Sequence, residues 1–172
     1  EVIVDEHMRT SLASVWAIGD VTNKNPLAHV ASSQGLVAAA NIAGKFENMD
    51  YTAVPSAIFT NPEVASVGIS ERQAKDNGIQ VKVGRFPFLA CGKAVSMNET
   101  VGFVKVIADL QDKVVGAQIV GPHASDLISE VTLAISNGLS VEQVVKTVHT
   151  HPTLSESVYE ACEDILGLAV NI

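Results

Sequence analysis

The 172-residue chain is short of cysteine, of aromatic residues and of basic charge, and each shortage narrows what it can do. Its two cysteines, Cys91 and Cys162, form no CxxC or other close pair. Thiols used so sparsely fit a reducing compartment and ordinary structural roles. Lysine and arginine number 11 against 19 acidic residues, a net charge of −8. No basic patch is dense enough to neutralise phosphates, which excludes nucleic acid as a partner. No apolar run reaches the roughly 18 residues that span a bilayer, and no amphipathic stretch has a basic face, so no membrane partner is expected. With 47% hydrophobic but only 5% aromatic residues, core and interfaces alike should be aliphatic. There is no internal repeat, no low-complexity segment and no signal-peptide pattern. The expected location is the cytoplasm, or the mitochondrial matrix in a eukaryote.

Residues 1–50 have one character. Glu1–Val4 reads as part of a strand, and the first residue is not methionine. A domain rarely starts within a strand, so the chain is expected to be part of a longer polypeptide. "SVWAIGD" is a short apolar run ending in Gly19-Asp20, the pattern of a buried parallel strand. After the turn-rich "VTNKNP" comes "LAHVASSQGLVAAANIAGK", a helix of small residues with Gly44 suited to its C-terminal cap. This is one strand–helix unit of an α/β domain, and one unit cannot make a sheet.

"KFENMDYTAVP" reads as a linker, and from Pro55 the pattern changes. "SAIFTNPEVASVGIS" reads as strand, turn at Asn61-Pro62, strand. Ser70 and Gln73 form a capping box over a short helix stopping at Asn77-Gly78. "VKVGRFPF" is a strand, and "GFVKVIAD" and "KVVGAQIVG" make a hairpin about Leu110–Asp112. A helix follows Gly121-Pro122, its apolar side built from Leu127, Val131, Leu133, Ala134 and Ile135. Ser140 and Gln143 cap another short helix, and "SESVYEACEDILGLA" makes the last one. Strands first and helices after predict an α+β domain, an antiparallel sheet with helices on one face.

Two constellations carry chemistry. Asp20 closes an apolar run, which suits a turn or cap. Open α/β sheets also bind ligands at the carboxyl ends of their strands, where a carboxylate accepts hydrogen bonds from sugar-like hydroxyls. A helix starting near Leu27, Ala28 and His29 would aim its N–H groups at the same ligand. The second constellation is "HTHPTLSE". His149 and His151 as metal ligands lack a third partner or any Cys/His cluster. Thr153-x-x-Glu156 is a capping box, with Pro152 restricting the helix entry. That accounts for Thr153 and Glu156 but not for His151. If the entrance curls back, Glu156 can fix the tautomer of the His151 imidazole and stabilise its protonated form, leaving the other nitrogen to exchange a proton. His149 then points elsewhere, packed rather than catalytic.

"VWAIGD", "LAHVASSQG", "IFTNPEVASVG" and "HTHPTLSE" stand in the order and spacing of the flavoprotein disulfide reductases, and the whole chain resembles the carboxyl-terminal third of that family. The H-x-H-P-T-L-S-E form most resembles the members that oxidise dihydrolipoamide. Glutathione reductases are similar at His-Pro-Thr but differ between Thr153 and Glu156, and mercuric reductases end in a cysteine pair absent here. The resemblance implies that Asp20 binds the ribityl chain of FAD, that the Leu27, Ala28 and His29 backbone meets the flavin, and that His151 with Glu156 is the acid–base for dithiol–disulfide exchange. It further implies a remnant of an FAD-binding domain over 1–50 and a dimerisation domain over 51–172. A homodimer would serve the lipoyl domains of a 2-oxo acid dehydrogenase complex, with NAD as hydride acceptor. The chain departs from the family in having no CxxxxC and no GxGxxG. By itself it is therefore expected to bind neither FAD nor NAD and to be inactive. A glutathione reductase-like enzyme and a stand-alone dimerisation module are the alternatives.

Overall fold

The computed structural model describes residues 1–171 and divides into two compact units, Glu1–Tyr51 and Thr52 to the carboxyl end. In the first, a 3-10 turn over Gly19–Thr22 precedes helix α1, Ala28–Ile42. The small residues of α1 end in a Schellman arrangement: Gly44, at φ +83°, donates to the Asn41 carbonyl and Lys45 to that of Ala40. The two strands expected here do not form. Glu1–Val4 has no ladder, and around "SVWAIGD" there is a single antiparallel bridge between Arg9 and Trp16. Val15 and Ile18 are 45% and 42% exposed. An apolar run becomes a strand only where neighbouring strands take its N–H and C=O groups, and no such neighbour stands among the described residues of this unit.

Polar side chains do the work of the missing ladder. The apolar core of the unit is small, built on Val4, Met8 and Ala38. Gln34, fully buried on α1, accepts from the Gly19 N–H (2.6 Å) and donates to the Lys24 carbonyl (3.3 Å) and the Tyr51 hydroxyl (2.9 Å). Asn41, two turns further along the same face, donates to the carbonyls of Val37 and Glu47 and accepts from the Glu47 N–H. Each group satisfies backbone that would otherwise be buried unpaired.

The second unit is a five-stranded antiparallel sheet in the order β1-β2-β5-β4-β3, with β1 Ser56–Ile58, β2 Glu63–Gly68, β3 Lys82–Pro87, β4 Phe103–Ala108 and β5 Val114–Gly121. The register aligns Ala65, Ile119, Val104 and Phe86 in one row and Val67, Ala117, Val106 and Gly84 in the next. These rows face the core. Three helices cover it: α4, Ala124–Ser136, on β1, β2 and β5; α6, Glu156–Leu166, on β3 and β4; and α5, Val141–Val145, against α6. On the opposite face lies the row Ser66, Gln118, Lys105, Arg85. There Glu71 of α2, Glu71–Asp76, pairs with Arg85 (2.7 Å) and Lys105 (3.3 Å).

Both serine capping boxes form, Ser70 with Gln73 and Ser140 with Gln143. The stretch between β3 and β4, unassigned from sequence, contains a 3-10 turn, Phe88–Ala90, and a short helix α3, Gly92–Met97. On α4 the expected apolar side is corrected at one position. Leu133 is 63% exposed, while Ile128 is buried with Val131, Ala134 and Ile135. At 100° per residue Leu133 stands about 200° round the helix from Val131, on the far face. Glu63 of β2 fixes the start of α4 by accepting from both the N–H (2.9 Å) and the hydroxyl (2.8 Å) of Ser125. These two bonds hold the Glu63 carboxyl below the usual carboxylate range.

Helix α6 approaches β3 at Gly84, where a Cβ atom would stand 2.0 Å from the Ala161 carbonyl oxygen and 2.7 Å from Ile165 Cγ1. Gly84→Ala should therefore push α6 off the sheet and lower the unfolding free energy by about 1–3 kcal/mol, the usual range for overpacking. Urea unfolding followed by far-ultraviolet circular dichroism measures it. An unchanged midpoint would mean that α6 shifts at no cost.

Candidate active site

The segment from Lys146 to Pro152 leaves α5 and leads to α6 with every residue exposed except His149. It then folds back. Thr153 donates its hydroxyl to the Thr150 carbonyl (2.6 Å) and shares a further bond with the Ser155 hydroxyl (2.7 Å). The Thr153 N–H donates to Glu156 Oε2 (2.8 Å). The expected capping box is thus half made. The glutamate caps the threonine amide, but the threonine hydroxyl turns back to the loop, and α6 begins at Glu156 behind Ser155 with no side-chain cap.

The other oxygen of Glu156 meets His151: Oε1 lies 2.7 Å from Nδ1. The sequence-predicted pair is brought together. The Glu156 side chain is 27% exposed and that of His151 80%. Burial is the largest single influence on Glu156 and pushes its carboxyl up. The Thr153 N–H bond, the His151 hydrogen bond and the positive potential of His151 and His149 together outweigh it, and the carboxyl lies below the ordinary range. An ionised Glu156 can only accept, so Nδ1 of His151 carries a hydrogen. In the neutral ring Nε2 is then the basic nitrogen, without a partner among the described residues. Such a group can take a proton from a donor arriving from solvent, and return it.

His149 has a different setting. Its side chain is 8% exposed, and its Nε2 lies 2.7 Å from Glu130 Oε1 on α4. Its Nδ1 donates to the Thr147 carbonyl (2.8 Å). The two histidines therefore turn to different carboxylates, and among the described residues no three His, Cys, Asp or Glu side chains converge on a cation site. Nothing local in the sequence pointed to Glu130, which lies 19 residues upstream.

In the first unit, Asp20 is exposed on the 3-10 turn, its carbonyl accepting from the Asn23 N–H (2.9 Å). Leu27 is the N-cap residue of α1, in extended conformation and offering no side-chain cap, and Ala28 and His29 form the first turn, both exposed. Gln34 ties the Gly19-Asp20 turn and the Lys24 carbonyl to the middle of α1. Cys91 and Cys162 are both free and buried. The Cys91 thiol donates to the Thr153 carbonyl at 3.5 Å, and burial pushes the Cys162 thiol up to about 12.

The depressed Glu156 carboxyl stabilises the fold wherever it is ionised in the native state. That contribution is complete above the ordinary glutamate value, about pH 4.3, and is lost as pH falls through the lower folded value. The thermal midpoint of the wild-type chain should therefore exceed that of Glu156→Gln by a margin that shrinks from about pH 4.3 downward. Scanning calorimetry over the acidic range checks this, and a margin independent of pH would contradict it.

A family model of the pyridine nucleotide-disulphide oxidoreductase dimerisation domain matches residues 54–162, and the model described simply as pyridine nucleotide-disulphide oxidoreductase matches residues 1–35. The chain is 56% identical over 153 residues to the dihydrolipoyl dehydrogenase of Chlamydia muridarum, covering 88% of this chain and 33% of that protein. It is 48% identical over 170 residues to the enzyme of Geobacillus stearothermophilus, covering 98% of this chain and 36% of the relative. Thus the chain spans about a third of the length of the curated relatives it matches. Among solved structures, LpdA from Mycobacterium tuberculosis superposes with a TM-score of 0.89 at 30% identity, covering 94% of this chain and 36% of LpdA. The HOCl-induced flavoprotein disulfide reductase RclA from Escherichia coli gives 0.87 at 27%, over 94% of this chain and 38% of RclA. Matched in sequence along both units and in fold, the chain belongs to the pyridine nucleotide-disulphide oxidoreductase family.

Proposed function

We propose that this chain is the carboxyl-terminal portion of a dihydrolipoyl dehydrogenase, in which His151 and Glu156 form the acid–base pair for dithiol oxidation. The observation that supports it is the geometry at α6: an ionised carboxylate fixes Nδ1–H of an 80% exposed imidazole, leaving Nε2 to act as a base. Nε2 accepts a proton from a dihydrolipoyl thiol, producing the more nucleophilic thiolate. Glu156 stabilises the resulting imidazolium across a 2.7 Å charge-assisted bond. The proton returns from Nε2 when the thiol is regenerated.

FAD fits the first unit in part. The exposed Asp20 carboxylate suits a polyol chain, and the α1 start at Leu27, Ala28 and His29, without a side-chain cap, suits an electron-rich ring edge. When bound, FAD would receive the dithiol's electron pair and hand it to NAD. The chain has neither a GxGxxG loop nor a close cysteine pair, so the rest of the cofactor site and the redox disulfide would come from a longer polypeptide. Alone, the chain should be colourless and inactive. The lipoyl domains of a 2-oxo acid dehydrogenase complex would be the partners in the cytoplasm or mitochondrial matrix. Turnover of lipoamide but not glutathione disulfide by the longer polypeptide separates this reading from a glutathione reductase.

In that polypeptide, His151→Gln should retain flavin but lower dithiol oxidation by about two to four decades, the span of general acid–base catalysis. Glu156→Gln should cost less, because it orients the ring and transfers nothing. Stopped-flow reduction of the flavin by dihydrolipoamide reads both. Full activity in His151→Gln would reduce the pair to a helix entrance.

Assembly is the second expectation. Val148 is 95% exposed three residues before His151, and Leu133 and Leu168 are 63% and 57% exposed. A two-fold dimer through the second unit would cover such aliphatic surface, an obligate interface burying over about 2,000 Å² in total. It would also bring His151 to a site completed by the other subunit. Sedimentation equilibrium at micromolar concentration should give twice the 18.1 kDa chain mass. A clean monomer would mean that association needs more than this chain.

A further inference from the structure

We infer that Glu130 and His149 form a clamp that positions His151, so that the orientation of the acid–base is set from α4 as well as from Glu156. Between Lys146 and Pro152 only the His149 side chain is withdrawn from solvent. Its ring is held on three sides. The Thr147 carbonyl can only accept, so Nδ1 donates (2.8 Å). Nε2 then shares a proton with Glu130 at 2.7 Å, and that bond persists whether the proton sits on the ring or on the carboxyl. The third side is the Tyr159 ring of α6, with centroids 5.4 Å apart and planes tilted by 53°. The Tyr159 hydroxyl donates to Glu163 at 2.5 Å, which keeps that ring from turning.

One residue, Thr150, separates this anchor from His151, and the Thr150 carbonyl is itself held by the Thr153 hydroxyl. His151 therefore hangs between two fixed points, the His149 ring behind it and the Glu156 carboxylate ahead. An exposed imidazole on a free loop would lose several rotamers on meeting Glu156, and anchoring the backbone on the near side lowers that entropic cost. Glu130 and His149 make no hydrogen bond to His151 and act on it through the backbone between them. They are positioning residues.

The inference rests on the proposed acid–base role of His151 for its kinetic consequence but not for its structural one. Two substitutions test it, Glu130→Ala and Glu130→Gln. Glu130 is 33% exposed, with its inner part against Val131, Val158 and Cys162, so the alanine also loses packing there, whereas the glutamine keeps the volume. The alanine frees the His149 ring. The glutamine can donate its amide to Nε2 and keeps the anchor. Ring nitrogen-15 spectra of this chain should show neutral His151 as the Nδ1–H tautomer in the wild type and in Glu130→Gln. In Glu130→Ala it should drift towards the tautomer mixture of free imidazole. In the flavin-bearing polypeptide, Glu130→Ala should lower kcat by roughly ten- to a hundred-fold, as for a misplaced catalytic group, with KM for dihydrolipoamide unchanged and glutamine restoring kcat. A lower thermal midpoint in Glu130→Ala with tautomer and kcat unmoved would overturn the clamp, leaving a merely structural pair. If His151→Gln proves fully active, the acid–base role fails while the tautomer spectra still decide the clamp.

Discussion

A carboxylate has two oxygens, and at the start of α6 the oxygens of Glu156 serve different ends. Oε2 accepts from the Thr153 amide and closes the turn that admits the helix; Oε1 accepts from His151. Neither bond could be made alone in the same way. The turn sets where the carboxylate stands, and the carboxylate sets which imidazole nitrogen is left basic. Both bonds favour the ionised form and lower the cost of ionising a partly buried group, which couples the helix entrance to the candidate chemistry.

That entrance is only as well placed as the helix behind it. Helix α6 lies where it does because Gly84 lets its backbone come within contact of β3, and because Phe86, Val104 and Val106 give it an apolar bed. Helix α4 is registered independently, by the Glu63 carboxylate on β2 reaching the Ser125 amide and hydroxyl. The sheet thus fixes two helices by two unlike devices, a missing side chain and a half-buried carboxylate. The segment between α5 and α6 inherits its position from both, through Glu130 on α4 and Glu156 on α6.

Sequence alone carried the parts of this that are local. The Ser70 and Ser140 capping boxes, the β4–β5 hairpin and the His151–Glu156 pairing all involve residues a few positions apart, where backbone geometry leaves few alternatives. Failures came where the partner was remote or missing. Val15–Ile18 has the composition of a buried strand, but composition supplies no hydrogen-bonding neighbour. Thr153 has the spacing of a capping residue, yet its hydroxyl found the Thr150 carbonyl nearer than the α6 amide. Glu63 with Ser125 is a pairing across 62 residues, and only the fold brings it together. Leu133 has the residue type of the apolar side of α4, but its angle about the helix places it in solvent.

The two histidines show how little residue type decides alone. His149 and His151 share a segment, and each meets a glutamate at 2.7 Å. Burial separates them. At 8% exposure His149 has both nitrogens engaged and no lone pair to offer, so its pairing can only hold structure. At 80% exposure His151 keeps one nitrogen free, and the same pairing prepares a base. An extended step of two residues along one face would have pointed both rings to the same side and made a metal ledge conceivable. Glu130 and the Thr147 carbonyl instead hold one ring in the protein while Glu156 holds the other at the surface, and a repeated residue acquires two opposite physical roles.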